Sequence, residues 1–253
     1  MKCYLNGMVD DYLKMILRAP VYDVAKETPL DAASNISRRL KNRVLLKRED
    51  MQTVFSYKIR GAYNLMSSLS TNEREKGVIA ASAGNHAQGV ALAANELGCP
   101  SIVVMPKTTP NIKIDAVSSL GAEVILHGNA YDEAEVYAKE LASERQMVFV
   151  PPYDHPLVIA GQGTVAMEIM RQHSGHIDAI FVPVGGGGLI AGIAAFFKAL
   201  APRTKIIGVE PNEAPSMSRS LASGHRVRLE TVGIFADGAA VRQVGEETFR
   251  IAQ

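Results

Sequence analysis

The sequence predicts an α/β fold built on parallel sheets. Short apolar runs that are typical of buried strands alternate with helical patterns of ten or more residues, which is the arrangement of βαβ units. Glycine and proline residues mark the ends of many of these segments. The 253 residues are 47% hydrophobic and 21% charged, which is an ordinary composition for a globular protein with an ample core.

The predicted elements follow one another along the middle and the end of the chain. Three apolar runs are predicted strands: SIVVM at 101–105, EVILH at 123–127 and MVFV at 147–150. The helical patterns between them cover about 110–121 and 130–145, and Asn129 is the expected cap of the second. The order then continues with a long helix after Pro156, the strand AIFVPV, a helix after Gly188 and the strand KIIGVE.

Two stretches are predicted hinges. Residues 47–56 (KREDMQTVFS) form a polar break, and residues 151–156 (PPYDHP) hold three prolines, which cannot continue a strand or a helix interior. The block 51–150 between them has the size of a small domain, and 1–50 with 151–253 would form a large domain from both chain ends. The cleft between two such domains is a usual place for a small-molecule site.

Charge and cysteine usage exclude several classes of partner. The formal net charge is +1, from 27 basic and 26 acidic residues without a basic run, so we expect no nucleic-acid partner. The N-terminal stretch contains acidic residues and lacks the apolar core of a signal peptide, and no run of 18 apolar residues predicts a membrane span. Cys3 and Cys99 have no metal or redox spacing, which favours a reducing compartment. We therefore expect a cytoplasmic protein.

The first stretch that could carry chemistry is TVFSYKIRGAYN, residues 53–64. Lys58 stands there in apolar company, behind Phe55 and Tyr57 and ahead of Ile59. One interpretation is a surface lysine at the start of a helix, since lysine is rarely buried. The other is a partly desolvated amine, whose lowered pKa frees the neutral form to attack a carbonyl and form a Schiff base. Apolar neighbours alone do not decide between the two.

The second stretch is SAGNHAQG, Ser82 to Gly89, which lies between a strand-like run and a helical run. It is typical of a capped helix start, with Ser82 or Asn85 as the cap. The same free N–H groups and the positive end of a helix would also suit an anion such as a substrate carboxylate. In that case the Asn85 and His86 side chains would contact the ligand.

The third stretch is VPVGGGGLIAG, residues 182–192, where four consecutive glycines separate a strand from a helix. Such a junction is a natural phosphate cradle, although no Lys-Ser/Thr follows as in a P-loop. It also fits the dinucleotide pattern G-x-G-x-x-A through Gly186, Gly188 and Ala191, with Glu210 placed to bind a ribose. An NAD-dependent oxidoreductase is therefore a rival interpretation.

Other titratable residues give weaker signals. His173 and His176 are three apart near a helix end with no third ligand in view, so no metal site is predicted. Asp154 and His155 lie in the proline-rich link, where we expect them to form a local cap or turn.

Taken together, SYKIRGA, SAGNHAQG and GGGGL, in this order and spacing, resemble the motifs of the fold-type II pyridoxal-phosphate enzymes. ETPL at 27–30 and PPYDHPLVIAGQGT at 151–164 also resemble that group, and within it the chain is most similar to the serine/threonine dehydratases. The resemblance covers nearly all of the chain. It implies a tryptophan synthase β-like fold, with two parallel-sheet αβα domains and the cofactor in the cleft between them.

The resemblance implies a role for each motif. Lys58 matches the lysine that holds pyridoxal 5′-phosphate covalently, and Asn85 matches the asparagine that bonds the cofactor's 3′-oxygen. The cofactor's phosphate would lie in a cradle of Gly185, Gly186, Gly187, Gly188 and Leu189, which displaces the dinucleotide interpretation. The substrate carboxylate would lie in the loop of Ser82, Ala83, Gly84, Asn85 and His86.

The resemblance also implies an activity, that of a threonine ammonia-lyase. L-Threonine would be dehydrated at its β-hydroxyl, and water would then hydrolyse the resulting imine to 2-oxobutanoate and ammonia, the first step of isoleucine biosynthesis; L-serine would give pyruvate. Lys58 would remove the α-proton as general base, and the cofactor would accept the negative charge. A homo-oligomer, dimer or tetramer, is expected. Related dehydratases bind a cation near the positions of Glu210 and Ala214, but Ser216 stands where an acid would help, so no metal is expected.

The chain departs from the family at its end. It stops at GEETFRIAQ, inside a predicted amphipathic helix. Family members continue into a segment with a serine or cysteine opposite the pyridine nitrogen, and the biosynthetic enzymes continue into a regulatory domain. We therefore expect a large domain without its C-terminal part, no regulatory domain and weak cofactor binding. An inactive or weakly active remnant of the fold is the remaining alternative.

Overall fold

A computed structural model describes residues 11–233 and 235–253 of the chain. Its strands are β1 (Leu30–Ala32), β2 (Leu45–Lys47), β3 (Val78–Ala81), β4 (Ser101–Met105), β5 (Glu123–Leu126), β6 (Val148–Phe149), β7 (Ala179–Pro183) and β8 (Lys205–Val209). Its α-helices are α1 (11–18), α2 (Ser34–Leu40), α3 (Lys58–Ser67), α4 (Thr71–Lys76), α5 (Asn85–Glu96), α6 (Asn111–Ser118), α7 (Tyr131–Arg145), α8 (Pro156–Gln172), α9 (Gly188–Leu200), α10 (Ser216–Ser223) and α11 (Glu246–Ala252).

Four parallel strands form the largest sheet, in the order β5-β4-β3-β6. Every residue of the inner strands β3 and β4 is buried, because helices cover both faces of a parallel sheet and neither side of an inner strand meets water. Helix α7 covers one face through Ala134, Ala138 and Leu141, and α5 and α6 cover the other through Ala91 and Val117. The predicted βαβ organisation is confirmed.

A second parallel pair joins β7 and β8, with Ala179 opposite Lys205 and Pro183 opposite Val209. One face of this pair packs with helices α8 and α9 in a cluster that includes Val182. The other face is open, and Phe181 on it is 67% exposed. These strands and helices lie where the sequence pattern predicted them.

The short ribbon β1-β2 is antiparallel and pairs Asp31 with Leu46. The sequence VLLK at 44–47 is strand-like and covers β2, whereas no such run marks β1. A three-residue strand is too short to show a period of two, so its pairing depends on contacts that the local pattern does not contain.

The cap predicted for helix α7 is wrong. Helix α7 begins at Tyr131 after Ala130, and Asn129 lies outside it. The Asn129 backbone N–H donates to Glu133 Oε2 at 2.8 Å, so a glutamate inside the helix binds the preceding chain instead.

Helices α3 and α8 approach each other closely through glycines. A Cβ at Gly161 would lie 2.5 Å from the Arg60 carbonyl oxygen and 2.7 Å from the Gly61 Cα. This contact places the first turn of α3 beside the segment 151–155 that leads into α8. The division into a large domain (1–50 with 151–253) and a small domain (51–150) stays a prediction. Among the helices of the described ranges, none has the length and apolar character needed to cross a membrane.

Candidate active site

Lys58 is the first residue of α3, and its amine is enclosed. Nζ donates a hydrogen bond to the Pro152 carbonyl at 2.7 Å and lies 5.7 Å from the centre of the Tyr57 ring. Desolvation by burial lowers the pKa of the amine from 10.5 to about 8. Phe55 does not contribute to this environment as its position in the sequence suggested, because it has a φ of 55° and is 74% exposed.

A buried ion-pair network anchors the helix that carries Lys58. Arg60 is fully buried, and its guanidinium donates to both Glu49 carboxylate oxygens at 2.8 Å and to Glu168 Oε1 at 2.6 Å. Lys47 pairs with Glu168 at 2.5 Å. Burial acts to raise the pKa of Glu168, but its contacts with Arg60 and then with Lys47 hold that pKa below its ordinary value. Because an unpaired buried charge is costly, the network holds α3 against α8.

The loop Ser82–His86 presents backbone N–H groups at the start of α5. Gly84 precedes the helix, and neither Ser82 nor Asn85 caps it, which corrects the predicted caps. The Ser82 hydroxyl accepts instead from the Gly84 N–H at 3.1 Å. In the described ranges the N–H groups of Ala83, Asn85 and His86 meet no acceptor. Together with the positive end of the helix, they form a surface that suits an anion.

His86 is buried and neutral. Its Nε2 lies 2.9 Å from the Val150 carbonyl oxygen, which can only accept, so Nε2 carries the proton. Burial, and then the charge of Lys58, lowers the pKa of His86 to about 3. His86 therefore adds no positive charge to the loop at neutral pH, and attraction for an anion depends on the N–H groups.

The structure brings this loop and Lys58 together. Helix α5 crosses the start of α3 at Gly89, where a Cβ would lie 3.1 Å from the Ile59 nitrogen and 3.2 Å from the Lys58 carbonyl carbon. A larger residue at Gly89 would separate the two helices.

The glycine loop, residues Gly185–Leu189, connects β7 to α9. Gly187 has a φ of 98°, a conformation that residues with a side chain rarely adopt. The middle glycines are buried. The N–H groups from Gly185 to Leu189 donate to no acceptor within residues 11–233 and 235–253. Buried N–H groups without an acceptor are rare in folded proteins and are typical of an anion cradle.

Two residues that the sequence did not single out pack against this loop. A Cβ at Gly186 would overlap the ring of Tyr153, and one at Gly188 would lie 3.1 Å from the Tyr153 Cβ. A Cβ at Gly185 would lie 3.1 Å from the Ala239 Cα. Tyr153 follows Pro152, whose carbonyl binds the Lys58 amine, so one short segment contacts both parts of the site. The motif PPYDHP was the available signal for that segment.

Of the neighbouring pair in that motif, His155 behaves as predicted. Its Nδ1 accepts from the Leu157 N–H at 3.1 Å and caps α8. Asp154 is not a local cap: its carboxylate accepts from the backbone N–H of Glu246, 92 positions along the chain, at 2.8 Å.

Glu210 binds the backbone at the start of α10. Its two carboxylate oxygens accept from the N–H groups of Met217 and Ser218, each at 2.8 Å, at the start of α10. Over the described part of the chain, no three His, Cys, Asp or Glu side chains form a group that could hold a metal ion. The acidic residue that the dinucleotide interpretation needs is thus already engaged by the backbone of α10.

The chain matches one known family over most of its length. Residues 21–253 match the family model described as pyridoxal-phosphate dependent enzyme. A biosynthetic, chloroplastic threonine dehydratase of Arabidopsis thaliana is 60% identical over 98% of the chain. A mitochondrial threonine dehydratase of Saccharomyces cerevisiae is 55% identical over 96% of the chain. The chain spans 42% of the length of each of these two relatives.

The chain also superposes on solved structures of related enzymes. The processed form of threonine deaminase isoform 2 from Solanum lycopersicum superposes with a TM-score of 0.95 at 57% identity, over 97% of this chain and 68% of that one. Maize serine racemase superposes with a TM-score of 0.91 at 32% identity, over 94% of this chain and 73% of that one.

Proposed function

The chain belongs to the family of pyridoxal-phosphate dependent enzymes, and we propose that it acts as a threonine ammonia-lyase, converting L-threonine to 2-oxobutanoate and ammonia. The family assignment confirms the fold class expected from the sequence. The proposal depends above all on one observation, the enclosed Lys58 amine between two loops whose N–H groups have no acceptor in the described residues. The relatives named threonine dehydratase, at 60% and 55% identity, support the choice of substrate.

The site fits pyridoxal 5′-phosphate. An amine with a lowered pKa suits its aldehyde, and the buried N–H groups of the glycine loop suit its phosphate. A Cβ at Gly187 would lie 2.8 Å from the Thr248 side chain, so glycine is needed for the loop to pack this closely against α11. We therefore assign Lys58 to covalent attachment and Gly185–Leu189 to the phosphate. When bound, the cofactor supplies the electron-withdrawing ring that accepts the charge developing at the substrate α-carbon.

Lys58 acts through its neutral form. At pH 7 an amine with a pKa of about 8 is neutral in about a tenth of molecules, roughly 300-fold more than at a pKa of 10.5. The neutral amine is the nucleophile for attachment, and after release its Nζ removes the substrate α-proton as general base. The Pro152 carbonyl orients Nζ by accepting one of its hydrogens.

The loop Ser82–His86 receives the substrate carboxylate in this proposal. Its support is the set of N–H groups at the start of α5. Because His86 is neutral, these N–H groups alone attract the carboxylate. Asn85 is exposed beside these groups, and it would bond the cofactor's 3′-oxygen. L-Serine, which would give pyruvate, is the second substrate. The preference between the two is measured as the ratio of their kcat/KM values, and a ratio favouring serine would overturn the choice of threonine.

We further propose a cytoplasmic homo-oligomer, dimer or tetramer, that performs the first step of isoleucine biosynthesis. The word biosynthetic in the name of the Arabidopsis relative supports the pathway, although that relative is chloroplastic. The open face of the β7-β8 pair, with Phe181 67% exposed, supports association. The large and small domains expected from the sequence are part of the same proposal, with the site between them.

The absorbance spectrum of the chain with pyridoxal phosphate tests the proposal. We expect a yellow band that borohydride abolishes, and release of 2-oxobutanoate from L-threonine. Lys58→Ala should lose both, whereas Lys107→Ala, at an exposed lysine, should keep them. Absence of the band, or its survival in Lys58→Ala, contradicts the assignment. A band without product would favour the weakly active remnant, and NADH binding without a band would favour the oxidoreductase.

A further inference from the structure

The segment Pro152–Asp154 contacts three parts of the site in succession. The Pro152 carbonyl accepts from Lys58 Nζ at 2.7 Å, and the Tyr153 side chain packs on the glycine loop. Asp154 binds the start of α11. One short stretch of chain thus connects the Lys58 amine, the glycine loop and a helix from the far end of the described residues.

Asp154 holds the first turn of α11. Its carboxylate accepts from the N–H groups of Glu246 at 2.8 Å, Glu247 at 3.0 Å and Thr248 at 3.2 Å. Three charge-assisted hydrogen bonds to one carboxylate fix the position and direction of this helix start. Gly245, just before it, leaves room for the carboxylate, since a Cβ there would overlap Asp154.

The first turn of α11 in turn holds the glycine loop. The Thr248 hydroxyl donates to the Gly186 carbonyl at 2.6 Å, and the Gly245 N–H donates to the same oxygen at 3.2 Å. Thr248 is fully buried. The Gly186 carbonyl and the Gly187 N–H belong to one planar trans peptide and point in opposite directions. Holding the carbonyl therefore turns the Gly187 N–H away from α11.

This restraint matters because the loop is glycine. A peptide between two glycines has access to several φ and ψ regions, and only the restrained one keeps its N–H available in the cradle. We propose that Asp154 and Thr248 are positioning residues, which act through α11 and the Gly186 carbonyl to aim the Gly187 N–H at the cofactor's phosphate. The inference depends on the proposed function, because it concerns how the same cradle is held.

Paired ligands separate this role from general stability. Pyridoxal has the aldehyde that reacts with Lys58 but no phosphate, so the ratio of the pyridoxal and pyridoxal phosphate dissociation constants isolates the phosphate. Thr248→Val removes the hydroxyl at nearly constant shape, and Thr248→Ser keeps it. We expect Thr248→Val and Asp154→Ala to weaken pyridoxal phosphate binding about fivefold to tenfold without changing pyridoxal binding, and Thr248→Ser to keep the original ratio.

Ser70→Ala is the matched control, because it also removes a helix cap, that of α4, away from the glycine loop. It should lower the thermal unfolding midpoint and leave the ratio unchanged. If Thr248→Val weakens the binding of both ligands equally, or leaves their ratio unchanged in a chain that shows the borohydride-sensitive band, this inference is overturned and the proposed function is not. Absence of the band in the unsubstituted chain overturns the proposed function and this inference with it.

Discussion

Replacing Lys58 with methionine should make the cofactor-free chain more stable at neutral pH. A pKa lowered from 10.5 to about 8 means that the charged form of the amine is less stable in the folded chain than in the unfolded chain, by about 3 kcal/mol. The hydrogen bond to Pro152 at 2.7 Å offsets about 1 kcal/mol of this, and the part of the side chain that still meets water screens some of the rest. Methionine has a similar shape and no charge, so we expect a gain of about 1–2 kcal/mol at pH 7.

The stability difference between the two chains should also depend on pH in a definite direction. Below pH 8 the amine is charged in both states, and the folded state carries the full desolvation cost. Between pH 8 and 10.5 the unfolded chain still binds the proton while the folded chain does not, so stability rises with pH in this window. The advantage of the methionine variant should therefore disappear by about pH 10.5.

Urea unfolding of both chains at pH 7 and pH 10 measures this difference, and other titrating groups cancel between them. Lys107→Met is the control: Lys107 is exposed, its side chain has no partner in the described residues, and its replacement should change stability by less than about 0.5 kcal/mol. If the Lys58→Met chain is less stable than the original at pH 7, or if its advantage does not vary with pH, then burial does not destabilise the charged Lys58 amine and the reasoning is refuted.

Gly187→Val should weaken pyridoxal phosphate binding at least tenfold while circular dichroism keeps the helix content, because a φ of 98° strains valine and its Cβ would crowd Thr248 at 2.8 Å. Gly224→Ala, at a φ of 74° with open space around it, should leave that affinity unchanged. Equal pyridoxal phosphate binding curves for the two variants would contradict the assignment of the glycine loop to the phosphate. Glu168→Gln should lower the free energy of unfolding by about 3 kcal/mol in urea, since buried Arg60 loses one carboxylate partner; a loss below about 1 kcal/mol would contradict the network. The lowered pKa of Glu168 also means that its contribution is present above its unfolded value of 4.5 and lost as the pH falls through the folded value, so the gap between the two chains should narrow in acid unfolding curves.

Much of the fold was predictable because its signals are local. The strands Ser101–Met105 and Ala179–Pro183 are continuous apolar runs between turn residues, and proline marks the start of helix α8. Caps were less predictable. Asn129 and Ser82 have the right side chains, but the helices begin after Ala130 and Gly84, where the backbone turns. A residue type that suits a cap does not by itself specify where the chain bends.

By itself, the sequence determined the chemistry at single positions: a lysine in a mixed apolar run, a small-residue loop before a helix, and four glycines between a strand and a helix. Each is a property of neighbouring residues, so each can be read without the fold. The tertiary structure alone decided the environment of these groups. Arg60 and Glu168 are 108 positions apart, and Asp154 and Thr248 are 94 apart, yet they meet to hold the helix of Lys58 and the glycine loop. Desolvation and the direction of an N–H group depend on what packs nearby in space, and local sequence does not contain that information.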